Sequence, residues 1–150
     1  MAVGDVLAAI RRGVPLTRSD AWLFAALLRG ADPRAGLSLR DLIANADWLN
    51  TMVPTYDELS FGLMRLVAAG LIVVHGQQPM TLIATERGMT LESVAAYSPN
   101  RSRAEALEQM ASAFGALPYP AHELEDRSLG RLPNLTHREV DETTRAYASE

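Results

Sequence analysis

Residues 55–71, TYDELSFGLMRLVAAGL, fix both ends of one helix by local chemistry and so constrain everything around it. Thr55 and Glu58 form a T-x-x-E capping box, in which side chain and backbone satisfy each other's free groups at a helix start. Gly70, just past the last apolar position, supplies the left-handed residue that ends a helix. Leu59, Leu63, Leu66 and Val67 mark an inward stripe at helical spacing. Gly62 interrupts this helix at a cost of up to about 1 kcal/mol against alanine, which predicts a close helix–helix approach on the core side. Two aliphatic runs follow, Leu71–His75 and Met80–Ala84, joined by four residues that include Gly76 and Pro79. Short β-branched runs with such a connection predict a hairpin.

Upstream, Val3, Val6, Leu7 and Ile10 recur at i, i+3, i+4 and i+7, and Gly13 stops a short amphipathic helix. Arg11 and Arg12 fall in its last turn, where positive charge suits the helix dipole. Val14-Pro15 breaks the chain, and Thr17 opens a second helix with Asp20 in its first turn. From Ala21 to Leu28 that helix is apolar on most sides, which predicts cover on more than one face. Ser38 caps a third helix with Leu39, Leu42, Ile43 and Ala46 inward. Trp48 points nearly opposite that stripe and needs cover from another element, such as the N-terminal helix or a second subunit. Asn50 to Pro54 makes the turn into the helix capped by Thr55.

Downstream, Thr85 caps a helix predicted to run to about Tyr97, ended by Ser98-Pro99. Two further capping boxes, Ser102 with Glu105 and Thr136 with Glu139, start two more helices. The first carries Leu107, Met110, Ala111, Phe114 and Leu117 on one face. Between them lies an irregular, charged segment. The fold class expected is mainly α with a small β-hairpin. Its organisation is an N-terminal helix over 1–16, a central unit over 17–97 and a C-terminal helical extension over 98–150.

At 150 residues, with 48% apolar and 21% charged residues, the composition is that of a globular chain. All of its basic residues are arginine, and the net charge is −4, so no general field draws it toward nucleic acid or an anionic membrane. Residues 101–150 carry six arginines against nine acids. There is no cysteine, hence no disulfide framework and no thiolate metal site. The absence of a long apolar run and of a basic-then-apolar leader points to a cytoplasmic protein without a membrane partner.

The run from Thr55 through Gly88 carries a family likeness. Arg65-Leu66, Gly70-Leu71-Ile72 and Thr85-Glu86-Arg87-Gly88 stand around the helix and hairpin in an order that resembles the winged helix-turn-helix regulators of bacteria. Over about residues 17–97 the pattern is similar to the multiple-antibiotic-resistance and phenolic-acid repressor groups, without singling out a subfamily. The resemblance implies a dimeric, DNA-binding transcriptional regulator. Its recognition helix would be Thr55–Ala69, and its wing would be Gly76–Pro79. On that reading Thr55, Tyr56, Ser60 and Arg65 in the helix, with Gln77 and Gln78 in the wing, are the DNA-contact candidates. Arg11, Arg12, Arg18 and Arg40 are possible phosphate contacts. The helices at 3–12 and 102–116 are candidates for dimerisation or for packing on their own domain.

The residues themselves suggest an alternative. A helical wheel turns Asp57, Ser60, Phe61, Met64, Arg65 and Ala68 outward. A base-reading surface wants arginine, lysine, asparagine or glutamine there. Phe61, Met64 and Ala68 instead form an apolar stripe beside Asp57. That pattern fits a protein interface, using Asp57, Phe61, Met64 and Ala68, or cover by the chain's own tail.

No motif for nucleotide, cofactor or nucleophilic catalysis occurs. His75, His122 and His137 are scattered without metal-ligand spacing. The expectation is a non-enzyme without metal or cofactor. A small-molecule effector pocket between the tail helices and the central unit is left open, and no residue marks it.

Overall fold

The computed structural model describes residues 2–77, 79–95, 101–116 and 129–150. Within them the chain is mainly helical with a small three-stranded antiparallel sheet. The order is α1 (Val3–Arg12), α2 (Arg18–Leu28), β1 (Leu37–Ser38), α3 (Leu39–Asn50), α4 (Tyr56–Ala68), β2 (Ile72–His75), β3 (Thr81–Ala84), α5 (Glu86–Met89), α6 (Glu92–Ala95), α7 (Arg103–Phe114) and α8 (His137–Ala148). No helix among the described residues is long and apolar enough to cross a membrane.

α2 is the centre. Every residue from Asp20 to Leu28 is buried, because α3, α4 and α7 pack around it. Two hydrogen bonds lock α2 to α3, from Trp22 Nε1 to the Ala46 carbonyl at 2.9 Å and from Asn45 Nδ2 to the Ala26 carbonyl at 3.1 Å. On the other side the Phe24 ring meets Phe114 of α7 with centroids 5.9 Å apart.

Side-chain caps set the helix starts. Thr17, Ser38, Thr55, Thr85, Ser102 and Thr136 each accept from the backbone N–H three residues on. Thr17 with Asp20 and Thr55 with Glu58 complete reciprocal boxes. α4 ends in a Schellman motif. Gly70 sits at φ 75°, with Gly70 N–H to the Val67 carbonyl and Leu71 N–H to the Leu66 carbonyl.

The sheet differs from the expected hairpin by one strand. Leu37 and Ser38 pair with Leu82 and Thr81, so the order is β1-β3-β2. Two residues are too short to show the period-two pattern by which a strand is read from sequence. The helix expected from Thr85 to about Tyr97 is instead two short turns, α5 and α6. Tyr97 lies outside the described residues.

The amphipathic helices at either side of the central unit use their apolar faces within the chain. Val6 and Ile10 of α1 and Met110, Ala111 and Phe114 of α7 belong to the common core. Arg11 Nε donates to the Ala113 carbonyl at 3.0 Å and ties the two helices together. Val3, Leu7 and Leu107 are half-buried against the same core. Trp48 is flanked by two guanidiniums, Arg29 at 3.4 Å and Arg103 at 4.7 Å from its ring centre.

Candidate functional site: the two covered faces of α4

The sequence sets one face of α4 toward the core and leaves the other to DNA, a protein partner or the chain's own tail. The helix has cover on both. On the α2 side, Gly62 lets the helices close: a Cβ there would lie 2.8 Å from Asp20 Oδ1 and 2.9 Å from Leu23 Cδ1. Arg65, one turn further on, runs into the same seam. Its Nε donates to Asp20 Oδ2 at 2.6 Å and its Nη2 to Asp20 Oδ1 at 3.0 Å. The two side chains are 1% and 0% exposed. Asp20 also accepts from the Thr17 N–H at 2.9 Å. Burial pushes the Asp20 carboxyl above its ordinary range, and the Arg65 hydrogen bonds and charge, then Thr17, act against that rise.

The second cover comes from residues 131–135, RLPNL, which cross the N-terminal half of α4 as a strap. Leu132 N–H donates to the Ser60 carbonyl at 2.8 Å. Arg131 Nη1 lies 2.7 Å from Ser60 Oγ and 2.8 Å from Asp57 Oδ1. Its guanidinium carbon stands over the Phe61 ring at 4.2 Å and the Tyr56 ring at 4.7 Å. Tyr56 donates its hydroxyl to the Leu135 carbonyl at 3.3 Å, and Leu132 and Leu135 are buried. Past the strap, His137 stacks on Tyr56 with ring centres 4.9 Å apart. Its Nδ1 lies 3.1 Å from Asp141 Oδ2. α8 then packs against α3 and α4, with the Tyr147 hydroxyl bonded to Asp47 at 2.6 Å.

These contacts correct the expected outward face. Arg65 is buried because Asp20, set in an otherwise apolar helix, needs a cation. Ser60 and Phe61 are buried because the strap lies on them. Met64 is half-buried against the core. Tyr56 is half-buried, while Thr55, Asp57 and Ala68 remain exposed. Gln77 is exposed at the hairpin turn, and Gln78 lies outside the described residues.

Three of the four arginines expected to add phosphate contacts are engaged within the chain. Arg11 holds Ala113, Arg18 pairs with Glu108, and Arg40 pairs with Glu150 and Asp41. Arg12 is exposed in the last turn of α1. Two signals in the sequence pointed at this arrangement: an aspartate opening an apolar helix, and an Arg-Leu-x-x-Leu run directly before a capped helix.

A cleft of about 450 Å³ opens between the α3–α4 turn and α8, lined by Val53, Pro54, Tyr56, Val140, Thr144 and Arg145 among others. Met52 and Val53 are exposed beside it. Among the described residues no group of three His, Asp or Glu side chains is placed to hold a metal ion. His122 lies outside the described residues. No protein-family model, curated protein or solved structure matches this chain.

Proposed function

We propose that this chain is a winged-helix module whose helix-turn-helix face makes protein contacts and does not read DNA. The winged-helix reading is supported by the order α2, β1, α3, α4, β2, β3 with strand order β1-β3-β2. One observation carries the protein-contact reading: the α4 face that a DNA reader would set in the major groove is occupied by Arg131, Leu132 and Leu135. A groove reader needs that face bare and lined with donors. Arg131, the cation laid on that face, is paired with Asp57.

The alternative is a dimeric DNA-binding transcriptional regulator. It keeps Thr55 at the α4 N-terminus and Gln77 at the hairpin turn, both exposed. Fluorescence anisotropy against pooled genomic duplexes at about 50 mM salt, where counterion release most favours association, separates the two. The protein-contact reading expects no binding. Salt-dependent binding that weakens on Thr55→Ala or Gln77→Ala would establish the DNA reader instead.

A further inference from the structure

We infer that the strap-covered face of α4 is a docking groove for an Arg-Leu-x-x-Leu segment of a partner protein, with residues 131–135 as its built-in competitor. This rests on the protein-contact reading above and names the chemistry of the partner.

The face carries more specificity than cover for Phe61 requires. An apolar side chain needs only another apolar surface, and Leu132 and Leu135 provide that. The strap's arginine is held in addition on three sides. Asp57 supplies charge, Ser60 Oγ a polar contact, and the Phe61 and Tyr56 rings two π faces. A planar guanidinium satisfies all of these at once, and a lysine ammonium does not. The groove also reads backbone. The Ser60 carbonyl takes the Leu132 N–H, and the Tyr56 hydroxyl gives to the Leu135 carbonyl. Carbonyl oxygens hold two lone pairs, so Ser60 can accept this bond as well as a helical one. Tyr56, Asp57, Ser60 and Phe61, at i, i+1, i+4 and i+5, thus form one surface that recognises an extended segment.

Charge and exchangeability favour an external occupant. Asp57 opens an acidic first turn with Glu58, and the whole chain has net charge −4, so a basic segment is drawn to it. The Arg131–Asp57 pair is 38% and 58% exposed, which leaves it open to water and salt. A competing segment has to replace two buried leucines, a few hydrogen bonds and one solvated ion pair while α4 stays folded.

The test uses a fluorescein-labelled peptide of residues 129–136, LGRLPNLT, titrated into the full chain by anisotropy. The full-length Arg131→Ala/Leu132→Ala variant, its strap weakened, is expected to bind the peptide about tenfold or more tighter than the natural chain. Adding Asp57→Arg should remove that gain, and a peptide carrying Arg131→Asp should restore it on the Asp57→Arg chain. Arg131→Lys in the peptide should weaken binding several-fold. If the double variant loses its helical circular dichroism, Arg131→Ala alone, at a partly exposed position, takes its place under the same expectations. A folded variant that binds no better than the natural chain overturns the inference, as does binding indifferent to Asp57→Arg. DNA binding is measured separately, so loss of the groove and loss of the protein-contact reading give different results.

Discussion

Arg65 and Asp20 form a buried two-point ion pair, Nε to Oδ2 at 2.6 Å and Nη2 to Oδ1 at 3.0 Å, between the helix after the turn and the helix at the centre. The guanidinium fork matches the carboxylate, and the same carboxylate caps its own helix through Thr17. Replacing one partner leaves the other charge in the core. Arg65→Met is therefore expected to lower stability by about 3–5 kcal/mol. Arg65→Lys should recover little of it, because a point charge cannot make both bonds. Combining Arg65→Met with Asp20→Asn, which keeps an acceptor for Thr17 but removes the charge, should cost less than the sum of the single changes. Urea unfolding of the four chains gives the coupling, expected at about 1–3 kcal/mol. Additive losses would mean that the pair does not act as a unit.

Gly62 belongs to the same seam. An alanine there gains about 1 kcal/mol of helix propensity on an open surface. Here its Cβ would meet Asp20 Oδ1 at 2.8 Å and Leu23 Cδ1 at 2.9 Å. Asp20 cannot swing aside without breaking its bonds to Arg65 and Thr17, and Leu23 is fully buried. Overpacking of this kind costs about 1–3 kcal/mol. Gly62→Ala is thus expected to be net destabilising in urea, and a more stable variant would show that α2 and α4 can part freely.

The sequence made the helix starts legible because capping is local chemistry. Thr17, Ser38, Thr55, Ser102 and Thr136 act within three residues, and each caps its helix. Gly62 likewise announced a close approach, though not by which helix. The outward face of α4 was legible only in part: its apolar stripe left cover by the chain's own tail open, but did not say which residues provide it. A helical wheel assigns one dry side, whereas α4 is covered from two, by α2 and by residues seventy positions later. The strap has no helical or strand period, so the one sign that Leu132 and Leu135 are core residues was their Arg-Leu-x-x-Leu spacing before a capped helix. Arg65 misled for a related reason: its type suits a phosphate, and only its three-dimensional partner shows that it serves a buried carboxylate.

Thr51 offers a gain in stability. It ends α3 at φ 51° and ψ 37°, a left-handed conformation in which a β-branched side chain is strained. Its side chain is exposed, and its hydroxyl bonds only the neighbouring Asn50 carbonyl at 2.7 Å among the described residues. Thr51→Gly removes the strain and keeps the backbone bond to Asp47. It should raise stability by about 0.5–1 kcal/mol, seen as a melting temperature higher by roughly 1–4 °C. A lower melting temperature would mean that the Thr51 side chain holds the turn.

Trp48 reports on the packing of α7 against α3. Arg103 stands over its ring at 4.7 Å and donates from Nη1 to its backbone carbonyl at 2.8 Å, while Arg29 stacks at 3.4 Å. Trp22, the other tryptophan, is 4% exposed with its indole N–H bonded to Ala46, so its emission should stay fixed. Arg103→Ala removes one cation–π contact and one charged hydrogen bond, together worth about 1–2 kcal/mol in a partly solvated setting. It also opens the Trp48 ring to water. The expected outcome is a shift of the emission maximum to longer wavelength that disappears in the Trp48→Phe background. An unshifted spectrum would show that Arg103 does not shield the ring in solution.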